Sequence, residues 1–156
     1  MNRYLSENIV PYEGMESFKL GMKLDEVRRI LKNDKIPFNQ TMQSNKATTS
    51  AVPWVFITID SSITFCFAKN VMYEMYFQNN FKGTLPNGGC IGMDFEQLEK
   101  IDPTLKYNDD EEDFNSKNGY WVLDDIDTKK IVTITIFLPV VETDAFYEYE
   151  WTNEYL

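Results

Sequence analysis

The sequence predicts an α+β fold built from two tandem copies of one unit, in which a short helix is followed by an antiparallel β-meander and the helices pack on the sheet. Residues 20–30 resemble residues 91–101, 71 positions later, with Gly, Met and Ile identical and apolar positions matched to apolar ones. Both segments have helical spacing of apolar residues, and runs of β-forming residues follow each of them. Since this period exceeds the usual length of solenoid repeats, we expect one pair of copies that share or abut a sheet.

The first helix is predicted from the helical spacing of Leu24, Val27, Ile30 and Leu31. Pro37 prevents its continuation, because proline lacks the N–H that a helix interior needs. A helix this short must pack on another element to be stable.

The second helix is predicted to begin at Asp94, a residue type that caps helix N-termini, with Gln97 three residues later as in a capping box. Phe95, Leu98 and Ile101 supply its apolar stripe. We expect this helix to end before the proline at position 103.

Three β-rich runs with turn residues between them follow the first helix, at residues 54–59, 63–68 and 71–77. Their close spacing predicts an antiparallel meander. Two more strands are predicted after the second helix, at residues 120–124 and 131–138. In the last of these, apolar residues alternate with Thr133 and Thr135, so that one face of the strand is apolar.

The boundary between the two copies is predicted within residues 81–89, which are rich in Gly and Pro. The first copy then spans residues 1–82 and the second copy residues 83–156, and we expect both to form one compact domain. Each copy also has a polar connection between its helix and its strands. These connections, residues 43–51 and 108–118, are predicted to be mobile loops.

The formal net charge of −10 argues against nucleic acid and against an anionic membrane surface as ligands, because both are bound through Lys and Arg. An acidic surface favours a basic partner, or serves solubility alone. The N-terminal residues have no uninterrupted apolar stretch of the kind that a secretion signal needs, and no run approaches the length of a membrane span. We therefore expect a cytoplasmic protein.

The absence of histidine from the sequence excludes Ser-His-Asp and Cys-His nucleophilic sites and histidine-bearing zinc sites. The glycine-rich residues 88–92 lack the lysine of a phosphate-binding loop. Cys66 and Cys90 match no metal-binding spacing, and two reduced thiols are favoured over a disulfide in a cytoplasmic protein. We predict no enzymatic activity, no catalytic residue, no metal and no cofactor.

Two clusters of carboxylates could be taken for chemical sites. The run from Asp109 to Asp113 lacks the alternating ligands, the central glycine and the terminal glutamate of a calcium-binding loop, which favours a solvated charged segment. Asp124, Asp125 and Asp127 could serve as paired carboxylates in glycoside hydrolysis, but they lie where a strand meets a turn. A turn supported by Asp side chains is the favoured interpretation.

In the C-terminal segment, carboxylates alternate with aromatic residues, and no basic residue follows Lys130. A final core strand would bury rings on one face and expose carboxylates on the other. Alternatively, the rings would anchor a partner protein while the carboxylates meet its Lys and Arg residues. Both roles can coexist in one strand.

The two Gly-Met phrases, Gly21-Met22 and Gly92-Met93, each precede a short amphipathic helix and a meander. This order resembles the tandem helix-plus-sheet repeat of the β-lactamase inhibitor protein superfamily and its small outer-membrane assembly lipoprotein relatives. Members of that superfamily commonly have a Ser or Thr cap after Gly-Met. Asp94 can replace that cap, whereas Lys23 cannot.

A cytoplasmic, acidic and aromatic-rich protein of 156 residues also resembles bacterial toxin immunity proteins, including those of contact-dependent growth inhibition. This resemblance implies that the chain binds and neutralises a cognate toxin domain, expected to be a basic nuclease, by protein–protein contact. The alternative is a non-catalytic intracellular binding or scaffold module of the same fold. The candidate partner-binding residues are Asp109, Asp110, Glu111, Glu112, Asp113, Asp124, Asp125, Asp127, Tyr147, Glu148, Tyr149, Glu150 and Trp151.

Overall fold

An eight-stranded antiparallel sheet organises the computed structural model, which describes residues 2–44 and 53–156. In the first half, a short 3₁₀ helix is followed by a two-stranded ribbon, one α-helix and four strands: Arg3–Ser6, β1 (Ile9–Val10), β2 (Gly14–Met15), α1 (Leu24–Asn33), β3 (Asn39–Ser44), β4 (Pro53–Ile59), β5 (Ile63–Ala68) and β6 (Val71–Gln78). The second half consists of one α-helix, four strands and three 3₁₀ helices: α2 (Phe95–Ile101), β7 (Lys106–Asn108), β8 (Asp113–Asn115), β9 (Tyr120–Asp124), β10 (Ile131–Phe137), Pro139–Glu142, Asp144–Glu148 and Glu150–Tyr155.

The strands of the large sheet follow the order β3-β4-β5-β6-β10-β9-β8-β7, and each neighbouring pair is antiparallel. Two four-stranded meanders therefore meet along β6 and β10, where Met75 lies opposite Ile136. The two meanders form one continuous sheet.

The first face of this sheet carries the main apolar core. Cross-strand partners share a face, and the row Ile57, Phe65, Met75 and Ile136 is fully buried. The buried residues of both α-helices belong to the same core cluster: Leu24, Val27 and Leu31 of α1, and Leu98 of α2. Residues at the alternate strand positions lie on the opposite face, which we call the second face.

The predicted helices are present, with one difference in capping. α1 begins at Leu24 and ends before Pro37, and α2 ends before Pro103, as predicted. Asp94 occupies the N-cap position of α2, but its side chain makes no capping hydrogen bond. Its carboxylate instead forms an ion pair with Lys130 Nζ at 3.4 Å, so the expected capping box is absent.

Five strands agree with the prediction to within one residue at each end, namely β4, β5, β6, β9 and β10. Five strands were not predicted, namely β3, β7 and β8 of the large sheet and β1 and β2 of the ribbon. The segment 108–118 was expected to be a loop, but it contains a turn and β8, which pairs with β7. Asn108 supports this turn, because its Oδ1 accepts hydrogen bonds from the N–H groups of Asp110 and Glu111 at 2.9 and 3.2 Å. Of the other predicted loop, residues 43 and 44 belong to β3, and residues 45–51 lie outside the described residues.

The C-terminal segment does not form the expected strand. It forms the three 3₁₀ helices, and Phe146, Tyr149 and Thr152 are buried at a spacing of three residues, with Tyr149 at φ +60° between the second and third of these helices. This spacing matches the three residues per turn of a 3₁₀ helix, whereas a strand would bury every second residue.

The loops before α1 and α2 make matching backbone hydrogen bonds. Met72, in β6, exchanges two hydrogen bonds with the first Gly-Met pair, at 2.8 and 2.9 Å. Ile131, in β10, exchanges two equivalent backbone hydrogen bonds with the second Gly-Met pair, both at 2.8 Å. The glycines have similar backbone angles, with φ of +93° at Gly21 and +90° at Gly92.

Within residues 2–44 and 53–156, no helix is both long enough and apolar enough to cross a membrane. Neither Cys66, which is buried, nor Cys90, which is half-buried, forms a disulfide, as predicted.

Candidate functional site

A pocket of about 260 Å³ lies on the second face of the sheet, between the strands and the C-terminal 3₁₀ helices. We call it the aromatic pocket. Two carboxylate residues, Glu74 and Glu111, contribute to its lining. The other lining residues are apolar or aromatic, and the aromatic ones are Trp54, Phe56, Tyr73, Trp121, Phe146 and Tyr147.

A β-bulge positions two of the pocket residues. Cys66 lies opposite Glu74, but Phe67 lies opposite Met72, so β6 has one extra residue, Tyr73, between the two pairs. A bulge changes the direction of the side chains around it. The Tyr73 ring centroid lies 6.1 Å from that of Trp54 and 5.0 Å from that of Phe146.

Hydrogen bonds and ring contacts hold the C-terminal segment against the second face. Trp54 Nε1 donates a hydrogen bond to the Tyr149 hydroxyl at 3.0 Å, and Tyr149 is fully buried. The Phe146 ring stacks on Trp151 with centroids 5.8 Å apart, and Trp151 Nε1 donates to the Phe146 carbonyl at 2.9 Å. Tyr147 is left exposed at the edge of the pocket, with 54% of its surface accessible.

Glu74 is half-buried and carries a perturbed carboxyl group. Desolvation is the main cause that raises its pKa to about 7. The Cys66 thiol, whose Sγ lies 3.8 Å from Glu74 Oε2, lowers the pKa, while repulsion from Glu111 and Asp113 raises it further. The net result is a carboxylate that would gain from a nearby positive charge.

The acidic turn between β7 and β8 reaches the same region. Burial, followed by repulsion from Glu111, raises the pKa of Asp113 to about 6. Asp113 Oδ1 and Trp121 Nε1 are both buried and have no hydrogen-bond partner among the described residues. The ion pairs found in the described part of the chain are Arg3–Asp34, Arg28–Asp25 and Lys130–Asp94. None of them neutralises the carboxylates at the aromatic pocket.

The structure therefore brings together only some of the predicted partner-binding residues. Glu111 and Tyr147 line the aromatic pocket, and Asp113 interacts electrostatically with Glu74 beside it. Tyr149 is fully buried, so its ring packs inside the protein instead of facing a partner. The remaining members of the acidic turn and of the C-terminal segment are exposed, apart from half-buried Trp151: Asp109, Asp110, Glu112, Glu148 and Glu150.

The third predicted cluster lies elsewhere. Asp124 is the last residue of β9, whereas Trp121 is near its beginning, so Asp124, Asp125 and Asp127 are at the opposite end of this strand. Asp125 Oδ1 accepts hydrogen bonds from the N–H groups of Asp127 and Thr128 at 2.8 and 3.0 Å. The Thr128 and Asp127 N–H groups lower the pKa of Asp125. These contacts confirm the interpretation of a turn supported by an Asp side chain.

Seven lining residues of the pocket were not among the candidates predicted from the sequence: Trp54, Phe56, Tyr73, Glu74, Trp121, Val141 and Phe146. One signal was available, because Glu74 is the only charged residue within β4, β5 and β6. A lone charge in strands that are otherwise buried is rarely left unpaired without a reason.

A second carboxylate, Asp102, is more deeply buried, at 1% exposure, but is fully hydrogen-bonded. It accepts hydrogen bonds from the Thr104 N–H and hydroxyl at 3.1 and 2.6 Å, from the Tyr120 hydroxyl at 2.5 Å, and from the Ser116 hydroxyl. Burial raises the pKa of Asp102, but the hydrogen bonds outweigh burial and hold the pKa well below its usual range. Asp102 therefore connects the end of α2 to β9 as a structural residue.

Within the described ranges, no group of three His, Cys, Asp or Glu residues is arranged to hold a metal ion. No protein-family model matches the sequence, and the comparisons with curated proteins and with solved structures gave no significant match.

Proposed function

We propose that this protein is an immunity protein that binds a cognate toxin domain with a basic surface and neutralises it by contact, in the cytoplasm and without catalysis. The observation that carries the proposal is the aromatic pocket, in which Glu74 and Glu111 lie beside large rings and have no ion-pair partner within residues 2–44 and 53–156. Aromatic residues dominate the binding energy of protein interfaces, and uncompensated charge selects a partner of opposite sign.

The charge of the whole chain supports the same conclusion. A net charge of −10 attracts a basic domain over a distance of about one Debye length, roughly 8 Å at physiological salt. Such attraction increases association rates by about 10- to 1,000-fold. Rapid association is an advantage for an inhibitor whose target damages the cell that produces it.

We further propose that the chain is a tandem duplication with units 1–82 and 83–156, and that the helix of each unit packs on the first face of the sheet. The matching hydrogen bonds of the two Gly-Met pairs support this proposal. The sheet order supports it too, because the last strand of one meander pairs with the last strand of the other.

Association kinetics with a basic toxin domain test the proposal. The partner is recovered by pull-down from the source cell at low salt, and its activity is assayed with and without this protein. We expect one-to-one inhibition and an association rate that falls steeply as salt increases. Recovery of no basic partner, or an association rate that does not respond to salt, would favour a binding or scaffold module over an immunity protein.

A charge reversal with a matched control locates the contact surface. Glu111→Lys changes the edge of the aromatic pocket, and Asp127→Lys makes the same change of charge on the turn at the far end of β9. Both side chains are exposed, so both variants should fold. We expect Glu111→Lys to slow association much more than Asp127→Lys does. Equal effects would show that only total charge matters, and would remove the pocket from the interface.

A further inference from the structure

We propose that the aromatic pocket binds a single arginine side chain of the partner. The identity of that partner rests on the proposed function, but the ability of the pocket to bind a guanidinium group does not. The inference depends on three properties of the pocket, namely its size, its rings and the positions of its carboxylates.

The size of the pocket suits one side chain. Its volume of about 260 Å³ lies below the roughly 300–1,000 Å³ of pockets that hold drug-sized ligands. A cavity of this size on an exposed sheet face can accept one long side chain that projects from a neighbouring surface.

The rings make the pocket attractive to a cation. The centroids of Trp54, Tyr73 and Phe146 lie 5.0 to 6.4 Å from one another, and Tyr147 lies 5.1 Å from Phe146. A cation within about 6 Å of a ring centroid is attracted by the negative face of the ring, and more strongly when water is excluded. Several rings around one cavity therefore favour a cationic group with flat apolar faces.

The carboxylates favour arginine over lysine. Glu74 contributes one carboxylate from the sheet and Glu111 contributes a second from the acidic turn. A guanidinium group has five N–H donors in a planar fork, so it can donate to a carboxylate while its face lies against a ring. An ammonium group is a compact and strongly hydrated point charge that cannot stack in this way.

The wall of the pocket also contains a buried donor that has no acceptor among the described residues. Trp121 Nε1 is inaccessible to solvent and makes no hydrogen bond with any described residue, although Trp121 lines the pocket. An unpaired N–H group in a buried position is costly. Because Nε1 is inaccessible to solvent, a partner oxygen could satisfy it only if the Trp121 ring moved on binding.

Titration of the free protein with small probes tests the proposal. The probes are Nα-acetyl-arginine amide, Nα-acetyl-citrulline amide, which has nearly the same shape without the charge, and Nα-acetyl-lysine amide. Binding is followed by the indole N–H signals of Trp54 and Trp121 in nitrogen–proton NMR spectra, at about pH 8, where Glu74 with its pKa of about 7 is ionised. We expect the arginine probe to bind in the millimolar range and to shift both signals, and the other two probes to bind at least about fivefold more weakly.

Three variants complete the test. Glu74→Gln keeps the shape of the side chain and should weaken arginine binding about tenfold. Glu111→Gln, on an exposed turn that tolerates substitution, should weaken it about threefold. Glu99→Gln, at an exposed carboxylate on α2 that does not line the pocket, should leave it unchanged. The proposal is overturned if citrulline or lysine binds as tightly as arginine, if the indole signals do not shift, or if the Glu99→Gln and Glu111→Gln variants behave alike.

The probe experiment and the toxin experiment can fail separately. Arginine binding without a basic protein partner would keep the pocket assignment and reject the immunity role. A basic toxin that binds Glu74→Gln and wild-type protein equally would keep the immunity role and reject the pocket as its contact site.

Discussion

Replacement of Asp102 by Ala should destabilise the protein by roughly 2–4 kcal/mol, because the carboxylate accepts hydrogen bonds from buried hydroxyl groups. Tyr120 and Ser116, exposed by only 1% and 5%, would lose the acceptor of their hydroxyl groups. A buried donor left without a partner costs about 1–3 kcal/mol, and Thr104 also loses two hydrogen bonds. The variant no longer buries the charged carboxylate of Asp102, which offsets part of this loss. The expected loss of stability is therefore smaller than the sum of the costs of the individual hydrogen bonds.

Urea unfolding followed by tryptophan fluorescence measures this loss. For a chain of this size, 2–4 kcal/mol corresponds to a fall in Tm of roughly 5–15 °C. Asp109→Ala removes an exposed carboxylate that has no such partners, and should change the free energy of unfolding by less than about 0.5 kcal/mol. If Asp102→Ala loses no more stability than Asp109→Ala, the Asp102 network does not stabilise the fold and the reasoning fails.

The pH dependence gives an independent check on Asp102. Its pKa is lower in the folded state than the value of about 3.9 expected for an unfolded chain. The unfolded state therefore binds the proton more readily, and the stabilisation by Asp102 is present above pH 4 and is lost as the pH falls below it. The difference in stability between wild-type protein and Asp102→Asn should narrow in acid. A constant difference from pH 7 to pH 3 would contradict the hydrogen-bonding explanation.

Three further predictions concern other parts of the molecule. A Cβ added at Gly21 would lie 2.6 Å from the Tyr155 ring, whereas one at Gly92 would meet nothing within 4 Å, and both glycines have positive φ. The positive φ alone should lower the free energy of unfolding, measured by thermal unfolding, by about 1 kcal/mol in Gly92→Ala. Gly21→Ala should lose more stability because of the clash with Tyr155, and this additional loss should vanish in a Tyr155→Ala background. Burial raises the pKa of Glu74 to about 7, so in the folded protein this carboxyl retains a proton that it releases near pH 4 in the unfolded chain. The folded state therefore loses stability as the pH rises from about 4 to 7. Glu74→Gln should therefore be more stable than wild-type protein at pH 8, by roughly 1–3 kcal/mol, and similar to it at pH 4; a variant that is no more stable at pH 8 would refute the raised pKa. Burial raises the pKa of the Cys66 thiol, so a maleimide should label Cys90 alone in the native protein, and early labelling of Cys66 would contradict its burial.

The two α-helices and five strands of the large sheet could be predicted because their burial follows a regular period. In β4, Val55, Ile57 and Ile59 alternate with less buried residues, and the sequence already contains this pattern. In contrast, β3 has the sequence NQTMQS and lies at the edge of the sheet, where polar residues suit both faces. Composition alone cannot separate such an edge strand from a loop.

The C-terminal segment was misjudged because a dense run of aromatic residues fits two periods. Tyr147, Tyr149 and Trp151 alternate as strand residues would, while Phe146 and Tyr149 are three residues apart as in a 3₁₀ helix. Tertiary contacts decide between the strand and the 3₁₀ helix, since the indole N–H of Trp54 in β4 donates a hydrogen bond to the Tyr149 hydroxyl. A contact between residues so far apart in the chain cannot be deduced from local pattern.

The position of the aromatic pocket explains why its members were not recognised as one site. Trp54 and Glu74 come from the first half of the chain, Glu111 and Trp121 from the second, and Tyr147 from the segment that follows the last strand. The pairing of β6 with β10 makes the two halves neighbours, so neither half alone contains the pocket. The C-terminal 3₁₀ helices lie against the second face through the contacts of Phe146 with Tyr73 and of Tyr149 with Trp54. A symmetric pair of meanders would offer two equivalent faces to a partner, whereas this added segment makes the two halves different. Under the duplication and the immunity role proposed above, specificity for a partner would arise from the segment that follows β10, because the first unit has no such segment after β6.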